Sequence, residues 1–306
     1  MQTLGRILPW LIVIAAIVPF AVNGDFTFHV AILIGIQALL ALSIHLTLRV
    51  GQLSLAQAGF MGIGAYASAL FTRDAGIPFL VGLACAAAIP ALLAGLLGGI
   101  ILRVRGVQFA LLTFMLGEAI VLLFVEFVIP FGGNNGVMGI PPIALFGIPL
   151  DSRQQIYAFV ILVLAVVYFA SRTLLRGNPG IALRGIAGNE ALAQSLGTDS
   201  LGWRRVVFAA SAGIAGISGS LYAHYLGYIS PEAFNITTTI NALVMNVVGG
   251  TALLVGPLIG AILLVPLPEL FRSAVLYQQL LYGLSLLLLV LFLPQGLGSI
   301  LRRPRT

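Results

Sequence analysis

The stretch FLVGLACAAAIPALLAGLLGGIILRVRGVQFALLTFMLGEAIVLLFVEFVIP (79–130) holds two apolar runs, 79–102 and 107–130, parted only by Arg103-Val104-Arg105-Gly106. A helix crosses the hydrocarbon of a bilayer in about 20 residues, so each run is one span. Working outward, the same pattern recurs near 8–22, 28–48, 54–72, 156–175, 206–228, 238–255, 257–271 and 275–297. The runs at 54–72 and 257–271 are short or broken by Gly and Pro. The reading is an all-α polytopic integral membrane protein with about 10 (8–10) transmembrane helices, some broken, forming a single membrane domain over 1–306. The run at 8–22 reads as a retained first helix rather than a signal peptide, because PFAVNGD (19–25) offers no clean small-x-small cleavage site.

Composition agrees. Of the residues, 60% are hydrophobic and 8% charged, with a mean hydropathy of +1.11; a soluble domain carries about 25% charged residues. All fifteen basic residues are Arg, and Lys is absent. A phosphate-binding GxxxxGK[ST] loop and a lysine Schiff base are therefore both excluded. The net charge of +6 reflects Arg clusters at a membrane surface rather than a nucleic-acid partner. Cys85, the single cysteine, lies inside an apolar run and permits no intrachain disulfide.

With ten crossings and the N-terminus inside, twelve Arg fall on the cytoplasmic side and only Arg73, Arg153 and Arg272 outside. The positive-inside rule then places both termini in the cytoplasm. The loop 131–155 faces the periplasm and opens FGGNNGVMGIPP, which is turn chemistry. The loop 176–205 faces the cytoplasm. Its RGNPG (176–180) reads as a turn. Beyond it, Asn189 suits an N-cap, Glu190 favours the positive end of the helix dipole, and Gly197 suits a C-terminal stop. Between them EALAQSL predicts a helix of about two turns, too short to be stable unless it docks on a surface.

The sequence GIALRGIAGNEALAQSLGTDSLGWRRVVFAASAGIAGISGSLYAHYLGYISPEAF (180–234) resembles the coupling-loop region of LivM-type permeases, the membrane subunits of ABC importers for branched-chain and other hydrophobic amino acids. The resemblance extends to GQLSLAQAGFMGIGAY (51–66), RGVQFALLTFMLGEAI (105–120) and GGNNGVMGIP (132–141), and covers most of 35–297. It departs at Ala187-Gly188, where relatives often carry a charged pair. It implies an ABC importer permease fold whose cytoplasmic helix sits in a groove of a separate ATPase, with Asn189, Glu190, Leu192, Ala193, Leu196 and Gly197 as the coupling residues. It also implies two ATPase subunits, a second permease subunit (a sister chain or a copy) and a periplasmic substrate-binding protein. That protein would dock on the outer stretches that carry Asn134, Asn135 and Glu232. The chain itself then needs no cofactor, since ATP is bound by the partner subunits.

Polar groups at bilayer depth point to function by default. Glu118 reads either as a pathway residue for an ammonium group or as a hydrogen-bonded carboxyl that holds helices together. Gln52, Ser54 and Gln57 precede the small-residue run GFMGIGAY, and Asn241 and Asn246 precede the broken segment NVVGGTALLVGPLIGAILL (246–264). Paired broken segments are a pointer to a transporter's pathway, and small residues equally let helices pack closely. His29, His45 and His224 are scattered without ligand spacing, and neither a metal site nor a catalytic constellation is read. The function class is then a transport subunit, not an enzyme. The alternatives are an ion-coupled secondary transporter that uses Glu118, and an ABC permease for urea, amides or aromatic acids.

Overall fold

The structure, a computed structural model, describes residues 24–145, 147–271 and 277–292. The expected run at 8–22 lies outside the described residues, as do the ends of the run at 275–297. The chain is mainly helical: α1 (Asp25–Leu48), α2 (Gln57–Arg73), α3 (Phe79–Ile101), α4 (Gly106–Glu126), α5 (Arg153–Leu174), α6 (Gly177–Gly188), α7 (Glu190–Ser195), α8 (Ser200–Leu226), α9 (Ile236–Gly249), α10 (Gly256–Leu264) and α11 (Gln278–Phe292). Among the described residues five helices, α1, α3, α4, α5 and α8, are long and apolar enough to cross a membrane. The other expected spans form shorter pieces. α2 has 17 residues, and α9 and α10 are two limbs of 14 and 9 residues.

α8 is the centre of the bundle and packs against α1, α2 and α3. Small residues make this possible. A Cβ added at Gly216 would lie 1.9 Å from the Ala86 carbonyl of α3, and one at Gly64 of α2 would lie 2.3 Å from the Gly216 Cα. One at Gly219 would lie 1.9 Å from the Met61 carbonyl. With no hydrophobic drive between helices in lipid, such backbone-to-backbone approach is what van der Waals association exploits. The same device closes the α9–α10 turn, where Gly250 (φ 95°) reverses the chain and a Cβ at Gly249 would lie 1.7 Å from the Gly256 carbonyl.

The bundle has two unlike ends. α1, α3 and α5 finish, and α4 and α8 start, at an end where Arg49, Arg103, Arg105, Arg176, Arg184, Arg204 and Arg205 gather, together with α6 and α7. At the opposite end two small antiparallel pairs knit the loops. β1 (Val137–Met138) pairs with β4 (Tyr228–Ile229), and β2 (Ala144–Leu145) with β3 (Ile148–Pro149).

The turn expected at 176–180 is only its first two residues. Arg176 is extended, Gly177 takes φ 62°, and α6 then runs from Gly177 to Gly188 with Pro179 inside its first turn. Proline is tolerated there because the first helical N–H groups have no partner in any case. Leu183 and Ile186, spaced i and i+3, are buried, and Leu183 packs on Leu46, Val50 and Val207. Tertiary burial thus overrides the poor helix propensity of the four glycines in GNPGIALRGIAG.

Candidate functional site

At the Arg-rich end α7 is built as its residues suggest. The Asn189 side chain accepts from the Leu192 N–H at 3.1 Å, and the helix stops before Gly197 at φ 83°. Ala193 faces inward and is buried, whereas Leu192 and Leu196 are 58% and 78% exposed and form an apolar ridge that points away from the bundle. Glu190 points the other way. Its Oε2 accepts from Arg204 Nη2 of α8 at 2.6 Å and forms an ion pair with Arg105, just before α4, whose Nε lies 3.2 Å away. Its Oε1 accepts from Gln194 Nε2 at 3.4 Å. The six residues expected to couple therefore divide into a ridge (Leu192, Leu196), caps (Asn189, Gly197) and an inward face (Glu190, Ala193). The two arginines were not read as its partners, because they lie 14 and 85 positions away and nothing in the local pattern pairs them.

The six polar residues singled out within the membrane have unlike surroundings. Gln57 is buried, accepts from Ser43 Oγ at 3.3 Å and donates to Ser211 Oγ at 3.3 Å, which joins α1, α2 and α8. Asn246 is buried too. Its Nδ2 donates to the Ala41 and Ala242 carbonyls at 2.8 and 2.9 Å, so its Oδ1 accepts from His45 Nδ1 at 3.0 Å. His45 Nε2 in turn accepts from Arg49 Nε at 3.0 Å, which fixes the neutral tautomer. Asn241 is half-buried and accepts from Tyr282 Oη at 3.3 Å. Gln52 and Ser54, in the extended link between α1 and α2, are buried with side-chain polar atoms that have no hydrogen-bond partner among the described residues.

Glu118 is placed differently. Val107, Leu111, Met115 and Leu122 make an exposed apolar stripe along α4. At 100° per residue Glu118 falls within about 60° of each of them. It is half-exposed and has no hydrogen bond or ion pair among the described residues. On the other side of α4 lies an apolar cavity of ≈ 590 Å³, lined by Phe60, Tyr66 and Ala67 of α2, Leu93 of α3, and Leu116 and Phe124 of α4, among others.

At the opposite end Asn134 and Asn135 are exposed on the turn Gly133–Asn135, and Glu232 on the turn Pro231–Phe234. The β1–β4 pair lies beside these turns and the two are in contact, so all three residues belong to one surface. That surface is anchored to the bundle. His224, in the last turn of α8, donates from Nδ1 to the Pro141 carbonyl at 2.7 Å and accepts at Nε2 from Ser68 Oγ at 2.9 Å. Ser68 accepts from Ser220 at 2.8 Å. Nearby, the Arg73 guanidinium donates to Asp74 at 2.6 Å and holds that exposed carboxyl below the usual carboxylate range. No group of three His, Cys, Asp or Glu that could hold a metal ion occurs among the described residues.

Fold and surfaces together define a multi-pass membrane protein with a short helix pair at its Arg-rich end. A family model described as "Branched-chain amino acid transport system / permease component" matches residues 26–293. The chain is 31% identical over 311 aligned positions to the high-affinity branched-chain amino acid transport system permease protein LivM of Escherichia coli (strain K12). It is 30% identical to the protein of the same name from Salmonella typhimurium (strain LT2). In both cases the match covers 94% of this chain and 73% of the relative. No solved structure matches it. The chain belongs to the family of branched-chain amino acid transport system permease components, and is a multi-pass protein of the inner membrane.

Proposed function

We propose that this chain is the permease subunit of an ABC importer and forms part of the translocation pathway for branched-chain or related small hydrophobic amino acids. Two separate ATPase subunits bind and hydrolyse the ATP, so the chain carries no cofactor of its own. The observation that carries this reading is the Leu192–Leu196 ridge: a capped helix, too short to stand alone, that is fixed to the bundle on one face and exposes leucines on the other. In this reading the Arg-rich end and both termini are cytoplasmic, loop 176–205 is the coupling loop, and loop 131–155 is periplasmic.

A second permease subunit completes the pathway. Glu118 supports its placement against α4, since a carboxyl in the middle of an exposed apolar stripe is costly against lipid and needs a protein or aqueous neighbour. The exposed stripes of α3 (Leu92, Leu96, Ile100) and α5 (Leu162, Val166, Phe169) carry no such group and suit lipid. The surface with Asn134, Asn135 and Glu232 receives the substrate-binding protein.

The test is co-purification of the detergent-solubilised chain with candidate ATPase subunits, wild type against Leu192→Asp with Leu196→Asp. Binding that the double substitution abolishes is the expected result. Binding that survives it, or no binding by the wild type, sinks the reading.

A further inference from the structure

We propose that Glu190 is a positioning residue that ties the coupling helix α7 to α4 and α8 through Arg105 and Arg204, so that displacement of α7 is delivered to α4; this rests on the reading above. The family resemblance counts Glu190 among the residues that couple to the ATPase. The geometry assigns it elsewhere. Both carboxylate oxygens are engaged within the chain, and the Glu190 side chain is only 11% exposed and that of Arg204 9%. A carboxylate enclosed between two guanidiniums is unavailable to a partner subunit, and the leucines lie on another face of the helix.

The two arginines belong to unlike elements. Arg204 stands in the second turn of α8, which is locked to α2 and α3 by glycine contacts too close for a side chain. Arg105 is the residue before α4, and Gly106 at φ 60° follows it, so the ion pair grips α4 at its very start. From Leu116 onward α4 faces α2 and α3 across the ≈ 590 Å³ cavity, past its one close contact with α2 at Gly117–Gly59, so that half has space in which to swing while α8 does not. Glu190 thereby spans a fixed helix and one with room to move. α4 is also the helix that carries Glu118 on its outward stripe, which connects the linkage to the pathway.

The experiment uses the assembled transporter in liposomes, with labelled leucine and ATP, and compares Arg105→Gln, Arg105→Lys and Glu190→Gln. ATPase co-purification and the rate of ATP hydrolysis stay at the wild-type level in all three. Leucine uptake per ATP falls about 10-fold in the two Gln variants, the size of an ordinary coupling free energy. Arg105→Lys, which keeps the charge, retains most of the uptake. Arg105 is largely exposed, so its substitution reads the linkage even if Glu190→Gln fails to fold. Release of the ATPase by Arg105→Gln or Glu190→Gln overturns the proposal, because Glu190 would then serve docking; so does unchanged uptake per ATP in Arg105→Gln. Failure of the wild type to bind ATPase is seen before any substitution and defeats the underlying reading instead.

Discussion

α8 and α4 solve the same problem, a helix among helices in lipid, in opposite ways. α8 meets its neighbours through Gly213, Gly216 and Gly219, where an added Cβ would lie 1.9–3.0 Å from a backbone carbonyl of α2 or α3. α4 touches α2 at one glycine pair, Gly117 against Gly59, and beyond it meets α2 and α3 through Leu116, Ile120 and Phe124 around an apolar cavity. Backbone contacts of the first kind have two rigid partners and cannot relax. Side-chain contacts around a void can exchange rotamers and slide. A transporter needs both, a frame and something that moves within it.

The largest expected effect sets the two modes against each other on a single helix. Gly64 and Ala67 of α2 are less than one turn apart, yet Gly64 abuts Gly216 while Ala67 borders the cavity. Gly64→Leu should cost at least the ~3 kcal/mol upper end of ordinary overpacking and leave little folded protein in detergent. Ala67→Leu should stay within about 1 kcal/mol of the parent, since it fills space rather than displacing backbone. Thermal unfolding followed by size-exclusion chromatography reads both, and equal effects would erase the distinction.

Next in size is Asn246→Ala. It strands the His45 ring N–H, and should lower stability by about 1–3 kcal/mol in the same assay. A smaller loss would mean that water re-enters between α1 and α9, and that this part of the frame is softer than α8.

The smallest effect belongs to Asp74, outside both helices. Its folded carboxyl titrates below the ordinary value because Arg73 donates to it, so its contribution is complete above about pH 4 and disappears as pH falls through the lower folded value. The pair is exposed, and Asp74→Asn should shift stability by no more than about 0.5 kcal/mol at neutral pH. A larger shift would show the loop that joins α2 to α3 to be part of the frame.

Much of this architecture is legible in the residues. Apolar length places α1, α3, α4, α5 and α8 within a few residues, and Asn189 and Gly197 mark the bounds of α7. Gly-rich runs locate α2 and the α9–α10 break. What escapes the sequence is whatever depends on a distant partner. α6 is hidden because its glycines argue against a helix and its support comes from Leu46, Val50 and Val207. The inward turn of Glu190 is hidden for the same reason, since capping rules describe its own helix and say nothing of Arg105 or Arg204. Hydropathy also cannot separate a full span from a short limb: of the nine expected runs that reach the described residues, five are long helices and four are shorter ones.

α8 has 27 residues, with Arg204 in its second turn and His224 in its last. At 1.5 Å per residue it is a rod about 40 Å long. One end is gripped by the Glu190 carboxylate of α7 and the other by the carbonyl of Pro141 in the opposite loop. Held at both ends and wedged against α2 and α3 along its length, α8 is a post that sets the span between the two surfaces. A neighbouring helix can shift against such a post without altering that span.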